Sequence, residues 1–280
     1  MGLFTDNPVL ERELRGRLRL RRKGAGRAIP VVAWPIVLVA LYFYARGLTA
    51  IGRGISRDAQ ELLPVLVYGV LTLIVLLAPA LASAAITQER EQQTWDALAT
   101  TRLSAWEILF GKWVGRQIIP WLMMVLALPY LVACAVFGGM GFAIIPATLF
   151  FMVVTTGFYS TLGLFCSFQA RRTVGATATA LTVTALLCVG TLVVDQVIGI
   201  FMPHPGQRAS SFVLWLNPFF ALNALLSWLD RSSANQGGSG YPVEPSPLVV
   251  GSFLLLMLLA TAAALYFMAS RYHRAVRERT

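Results

Sequence analysis

Residues 86–113 read ITQEREQQTWDALATTRLSAWEILFGKW. On both sides the chain is almost pure hydrocarbon, with apolar runs at about 62–87 and 117–137. A transmembrane helix needs roughly 20 mostly apolar residues. Each flanking run is long enough to cross a bilayer, so the charged stretch between them is expected at a membrane surface. Its own pattern is ordered. Ser104-x-x-Glu107 is a capping box, which predicts a helix beginning at Ala105. Leu103, Trp106, Leu109 or Phe110, and Trp113 then recur at three- and four-residue spacing. Before them, Glu89 to Ala99 favours helix, with Trp95 and Leu98 on one face. The stretch therefore reads as helix, short turn (TTRL), helix. It offers apolar and charged side chains together, which suits docking to another protein.

The whole composition agrees with lipid as the main solvent. Of 280 residues, 57% are apolar and 13% charged, and mean hydropathy is +0.68. A soluble domain carries about 25% charged residues. Six runs reach spanning length, at about 29–48, 62–87, 117–137, 142–168, 173–200 and 248–269. Pro35, Pro64, Pro79, Pro120, Pro129 and Pro146 fall within them. Membrane helices accommodate proline where neighbouring groups satisfy the freed carbonyls. The first run follows a basic region, as a secretory signal does. That region is long, however, and the run contains Trp34 and Pro35 with no clear cleavage site behind it, so it is expected to remain as a span.

The net charge of +10 is distributed by side. Arg12, Arg15, Arg17, Arg19, Arg21, Arg22, Lys23 and Arg27 precede the first run. Arg90, Arg102, Lys112 and Arg116 belong to the central stretch and its exit, Arg171 and Arg172 follow the fourth run, and Arg271, Arg274, Arg277 and Arg279 form the tail. These eighteen cations face only five on the other side, Arg46, Arg53, Arg57, Arg208 and Arg231. The excess of Lys and Arg marks the cytoplasmic face, so six spans with both termini cytoplasmic are expected, in a cell (inner or plasma) membrane. The same cations meet anionic lipid headgroups, and no nucleic-acid partner is needed to explain them.

Three pieces lie outside the expected spans. Residues 7–20, NPVLERELRGRLRL, form an amphipathic pattern within the segment 1–28. Asn7 suits an N-cap and Pro8 the first turn, and Leu10, Leu14 and Leu18 make one stripe. Such a helix lies in the headgroup plane. The outer loop 201–247 holds an apolar patch, FVLWLNPFFALNALLSWL at 212–229. A seventh span there would put the tail arginines outside, and Asn217-Pro218 interrupts it, so short helices lying on or dipping into the outer leaflet are expected. Residues 232–247, SSANQGGSGYPVEPSP, read as a polar linker, and 271–280 as a basic tail.

Chemistry-bearing side chains are sparse. Asp195, near the outer end of the fifth run, is the only acid near membrane depth. An intramembrane acid is a pathway candidate, though a small adjustment places it at the interface. Cys134, Cys166 and Cys188 all sit in apolar runs and give neither a disulfide framework nor metal spacing. His204 and His273 are isolated, and Met123-Met124 reads as packing rather than a copper site. Thr155, Thr156, Thr161, Thr173, Thr177, Thr179, Thr182 and Thr184, with Gly157, Gly163 and Gly175, suit either close helix packing or the lining of a path between two protomers.

The central stretch resembles a motif of ABC-2 type transporter permeases, ERExGTxExLxxTPLSxxEIxxGK. In register stand Glu89-Arg90-Glu91, Thr94, Asp96, Leu98, Thr101, Leu103-Ser104, Glu107-Ile108 and Gly111-Lys112. Gln93 replaces the usual glycine, which suggests a more continuous helix, and Arg102 replaces the usual proline. NPVLERELR at the start and LNPFFAL before the last span are also similar to this family. The resemblance implies an all-α integral membrane protein of six transmembrane helices with the type V exporter-like fold. It would comprise an N-terminal elbow helix (1–28), a transmembrane domain (29–270) and a cytoplasmic coupling helix within 88–113. It implies that Glu89, Arg90, Glu91, Trp95, Leu98, Arg102, Leu103, Ser104, Trp106 and Glu107 belong to the surface that couples to a separate ATPase subunit. It further implies a second permease copy or paralogue, mostly in exporters.

The chain itself lacks a phosphate loop. The motif G-x-x-x-x-G-K-[ST] fails at Gly111-Lys112, where Trp113 follows and Trp106 holds the first glycine's place. ATP and magnesium would therefore be bound by the partner, and no cofactor by this chain. Two other function classes remain on these residues alone. An intramembrane enzyme would need paired catalytic groups at one depth, and no span holds a histidine. A non-transporting membrane scaffold would need no ATPase.

Overall fold

The computed structural model describes residues 55–93, 105–201, 213–233 and 247–277. The expected elbow helix and first span lie outside them. The described residues fold as α1 (Ile55–Glu91), α2 (Ala105–Gly138), α3 (Ile144–Gln169), α4 (Thr173–Ala185), α5 (Thr191–Phe201), α6 (Pro218–Ser233) and α7 (Pro247–Arg277). One π-helical turn, Leu186–Gly190, joins α4 to α5, and a 3-10 turn, Leu214–Leu216, precedes α6. Among the described residues there is no strand. Five units are long and apolar enough to cross a membrane: α1, α2, α3, α4 with α5, and α7. They coincide with the second to sixth apolar runs of the sequence.

α1 and α3 run side by side through the middle of the bundle, with α2 and α4 packed on α1 and α7 packed on α3. α1 and α2 are antiparallel, as their polar ties show. Gln60 Nε2 donates to the carbonyl of Gly138 at 2.8 Å at one end, and Arg116 donates to the carbonyl of Leu81 at 3.2 Å toward the other. α1 and α3 meet most closely at Gly163. A Cβ built there would lie 2.3 Å from the Pro79 carbonyl oxygen and 2.8 Å from its Cα. Small residues allow such backbone approach between membrane helices. Gly175 differs from this expectation: nothing lies within 4 Å of a Cβ placed there.

The main core gathers Leu63, Val67, Leu71, Ile74, Phe151, Met152, Tyr159, Leu222 and Phe253, from α1, α3, α6 and α7. Met123 and Met124 are buried packing residues. A second, smaller core at the other end joins Ala85, Ile86, Leu109, Leu164, Leu265, Met268 and Ala269. The outward faces are bare hydrocarbon, with Leu186, Ile200, Leu248 and Leu259 all exposed. That is the surface a lipid-solvated bundle presents, because such area in water marks an association site or an aggregation hazard.

Two expectations about the loops meet finer detail. The outer patch does break at Asn217, and the 16 residues of α6 span only about 24 Å, short of the roughly 30 Å hydrocarbon core. Of the two expected arrangements, lying on the leaflet and dipping into it, the packing of α6 accords with the second. Ala221, Leu222, Ala224, Leu225, Leu226 and Leu229 are buried in the main core, because its apolar face has α3 and α7 to pack against. In the central stretch, the helix expected from Glu89 to Ala99 is interrupted near its start, since α1 ends at Glu91, and its remainder from residue 94 lies outside the described residues. Gln93 takes φ 55°, and its N–H bonds back to the Arg90 carbonyl at 3.2 Å. This is a left-handed helix ending of the kind glycine usually supplies. Glutamine in place of glycine leaves that turn in place rather than extending the helix.

Candidate functional site: the charged end of the bundle

The last turn of α1 carries Glu89, Arg90 and Glu91. Successive helical residues project about 100° apart, so three neighbours in sequence point three ways. Each finds a different helix. Glu89 pairs with the Lys112 ammonium of α2. Arg90 donates to the Ala170 carbonyl at 3.0 Å and lies 6.0 Å from the Phe168 ring centroid, both at the end of α3. Glu91 accepts the Thr173 N–H at 2.8 Å and its hydroxyl at 2.5 Å, at the start of α4.

Each tie follows from an unmet requirement. Lys112 is 1% exposed, and a buried ammonium needs a counter-ion and further acceptors. It has the Glu89 carboxylate and the Ala85 carbonyl at 3.2 Å. Ala170 is the C-cap of α3, where helix carbonyls lack internal partners and cations are favoured. α4 begins after Arg172, which makes no side-chain cap of its own. Glu91 supplies that cap from another helix, placing negative charge at a helix N-terminus. The two donors from Thr173 favour the ionised carboxylate.

Deeper along α1 the stitching continues. The Ser167 hydroxyl accepts the N–H groups of Ile86 and Thr87 at 3.0 and 3.1 Å. Ser83 and Thr177 share a hydroxyl hydrogen bond at 2.8 Å. The Trp113 indole donates to the Gly157 carbonyl at 3.3 Å. Thr155, Thr156, Thr161 and Thr184 are buried and bond to carbonyls four residues back, as packing residues do, whereas Thr179 and Thr182 face outward.

The candidate coupling residues divide accordingly. Glu89, Arg90, Glu91, Trp106 and Glu107 are placed; Trp95, Leu98, Arg102, Leu103 and Ser104 lie outside the described residues. The expected cap at Ser104 lies outside the described residues, and α2 is helical from Ala105, the first described residue after the gap. It is not a separate surface helix, because it runs unbroken into the third span to Gly138. The stripe expected to face a partner is therefore largely consumed inside the bundle. Leu109 is 1% exposed in the small core, and Trp113 rests on α3. Among the described residues of the stripe, Trp106 alone is exposed, at 41%, with its ring 6.4 Å from Tyr266 of α7. Asp195 is half-buried on α5, far along the chain from this cluster.

Spacing alone missed Lys112, Ser167, Ala170 and Thr173, whose partners are 23 to 82 residues distant. Lys112 did carry a signal: it continues the buried positions Ile108 and Leu109 by one helical step. Among the described residues no group of His, Cys, Asp and Glu could hold a metal ion. What the arrangement does is mechanical, joining the ends of four helices where the chain leaves and re-enters the bundle. A family model described as ABC-2 family transporter protein matches residues 9–275. No curated protein matches the chain. With a match over nearly its whole length and a helical bundle of spanning length, the chain belongs to the ABC-2 family of transporter proteins, as a membrane component.

Proposed function

We propose that this chain is the permease subunit of an ATP-driven exporter and that ATP is hydrolysed by a separate ATPase docked on residues 88–113. Supporting this reading is the junction of Glu89, Arg90 and Glu91, which ties α1 to α2, α3 and α4 at the point where the chain enters the docking segment. A push delivered there reaches three neighbouring helices through short, charge-assisted contacts, which are stronger than neutral ones. Trp106, Leu98 and Leu103 supply the apolar contacts to the ATPase, with Trp95, Arg102, Ser104 and Glu107 around them. Both termini and this end of the bundle are cytoplasmic, in line with the Lys and Arg excess. A second copy or a paralogue completes the translocation path.

The test is co-expression of the tagged permease with an ATPase chain, followed by pull-down and vanadate-sensitive hydrolysis. Wild-type permease should retain the ATPase. Leu98→Ala, Leu103→Ala and Trp106→Ala should weaken retention or uncouple hydrolysis from transport while the permease still inserts. Unchanged retention and transport in all three would remove the docking assignment. A permease that never binds an ATPase would favour the scaffold reading.

A further inference from the structure

The fifth span is not one helix. α4 gives way to a π-helical turn, Leu186–Gly190, and α5 resumes at Thr191. Such turns shift the hydrogen-bond ladder by one residue and gather at functional sites. A side chain from another part of the chain holds this one. Asn217, fully buried, donates from Nδ2 to the Cys188 carbonyl at 2.8 Å and to Thr191 Oγ1 at 2.9 Å. Its Oδ1 accepts the N–H of Phe219 at 2.9 Å, capping α6. Both amide donors and the carbonyl are thus used. Thr191 Oγ1 in turn donates to the Leu187 carbonyl at 2.8 Å, and the Tyr159 hydroxyl of α3 lies 3.4 Å from Cys188 Sγ.

The two halves of the span are supported differently. α4 is capped by Glu91, bonded to α1 through Ser83, and packed on α1 and α3. α5 has its main contacts with the π-turn and the 3-10 turn before Asn217, and Val193, Val197 and Ile200 are exposed. We propose that Asn217 is a positioning residue for transport: it fixes the π-turn to the start of α6, so that α5 swings as an arm about that turn while α4 stays with the bundle. This rests on the transport reading. It adds the place where movement delivered to α4 at the charged end is released at the other face.

Two variants separate the clamp from the cap. Asn217→Ser keeps an N-cap acceptor but does not reach the Cys188 carbonyl, and Thr191→Val removes the second partner without touching α6. Hydrogen exchange is measured on the full chain in nanodiscs, alone and with its co-purified ATPase, with and without ATP and vanadate. In the permease alone, both variants should speed exchange across 186–201 by about tenfold or more, since each loses at least one buried hydrogen bond, and leave 59–75 unchanged. Unchanged exchange at 186–201, or an equal rise everywhere, overturns the clamp. In the complex, vanadate trapping should alter wild-type exchange at 186–201. Both variants should lose that difference and transport while still hydrolysing ATP. Nucleotide-insensitive exchange at 186–201 overturns the pivot. If no ATPase co-purifies, the transport reading fails by itself, and the pivot with it, while the comparison in the permease alone still decides the clamp.

Discussion

Replacing Lys112 by methionine keeps the length of the side chain and removes its charge. Lys112 is 1% exposed and its partner Glu89 16%. Removing one member of a buried ion pair costs about 3–5 kcal/mol, because the other charge stays desolvated without it. Glu89 retains some access to water, which puts the expected loss at the lower limit, about 3 kcal/mol. At roughly 2–4 °C per kcal/mol for a chain of this size, the thermal midpoint should fall by about 6–12 °C. Glu89→Gln should cost a similar amount, since it leaves the more deeply buried partner charged. The double variant removes both charges, and a buried pair replaced on both sides is often near neutral. It should therefore recover most of the loss, giving a coupling energy of about 2 kcal/mol or more. The assay is the midpoint of all four proteins in one detergent, followed by size-exclusion fluorescence. Additive losses in the double variant would refute the reasoning, since the two charges would then not depend on each other.

Gly163→Ala should cost about 1–3 kcal/mol, since its Cβ meets the Pro79 backbone rather than a movable side chain; Gly175→Ala, with open space around it, should be neutral or gain up to about 1 kcal/mol of helix propensity, and equal midpoints for the two would argue against the close crossing. Gln93→Gly should stabilise by about 1 kcal/mol or less and so raise the midpoint, relieving a left-handed conformation, and Gln93→Val should lower it; the reverse order would mean the helix continues past Glu91. Trp106→Ala and Leu109→Ala should separate cleanly although both belong to one periodic stripe. The first, 41% exposed, should leave the midpoint nearly unchanged and cut ATPase retention about tenfold or more. The second, 1% exposed, should cost about 2–5 kcal/mol of stability.

That last contrast shows where sequence reasoning stops. Hydrophobic length located the five long apolar helices, because a bilayer imposes a one-dimensional requirement that composition meets directly. Local chemistry placed Asn217-Pro218 as a break, because caps act within four residues. Periodicity could not say which neighbour an apolar face meets. Leu109 and Trp106 carry the same signal, and only the positions of α3 and α7 send one inward and leave the other open. Gln93 shows the same limit: helix preference argued for continuation, while Gln93 takes a left-handed conformation and α1 ends at Glu91.

Those three residues also explain why the junction needs this sequence rather than any polar run. A helix end held by one contact can rotate about it, and a load applied beyond that end is lost as twist. Contacts at 100° intervals around the axis oppose rotation in every direction. Two of the three, Arg90 to Ala170 and Glu91 to Thr173, grip the two sides of the short turn between α3 and α4. The end of α1 is thereby fixed to the entry and the exit of that turn at once. On the proposed transport reading, a displacement entering at Gln92 should reach the α3–α4 corner through both contacts at once. Exchanging the order of charges, as in Arg90→Glu with Glu91→Arg, would keep composition and net charge but set a carboxylate against the carbonyl end of α3 and a cation against the N-terminus of α4. Both contacts would become repulsive, each by about 0.3–1 kcal/mol from the helix dipoles alone, with the lost hydrogen bonds added.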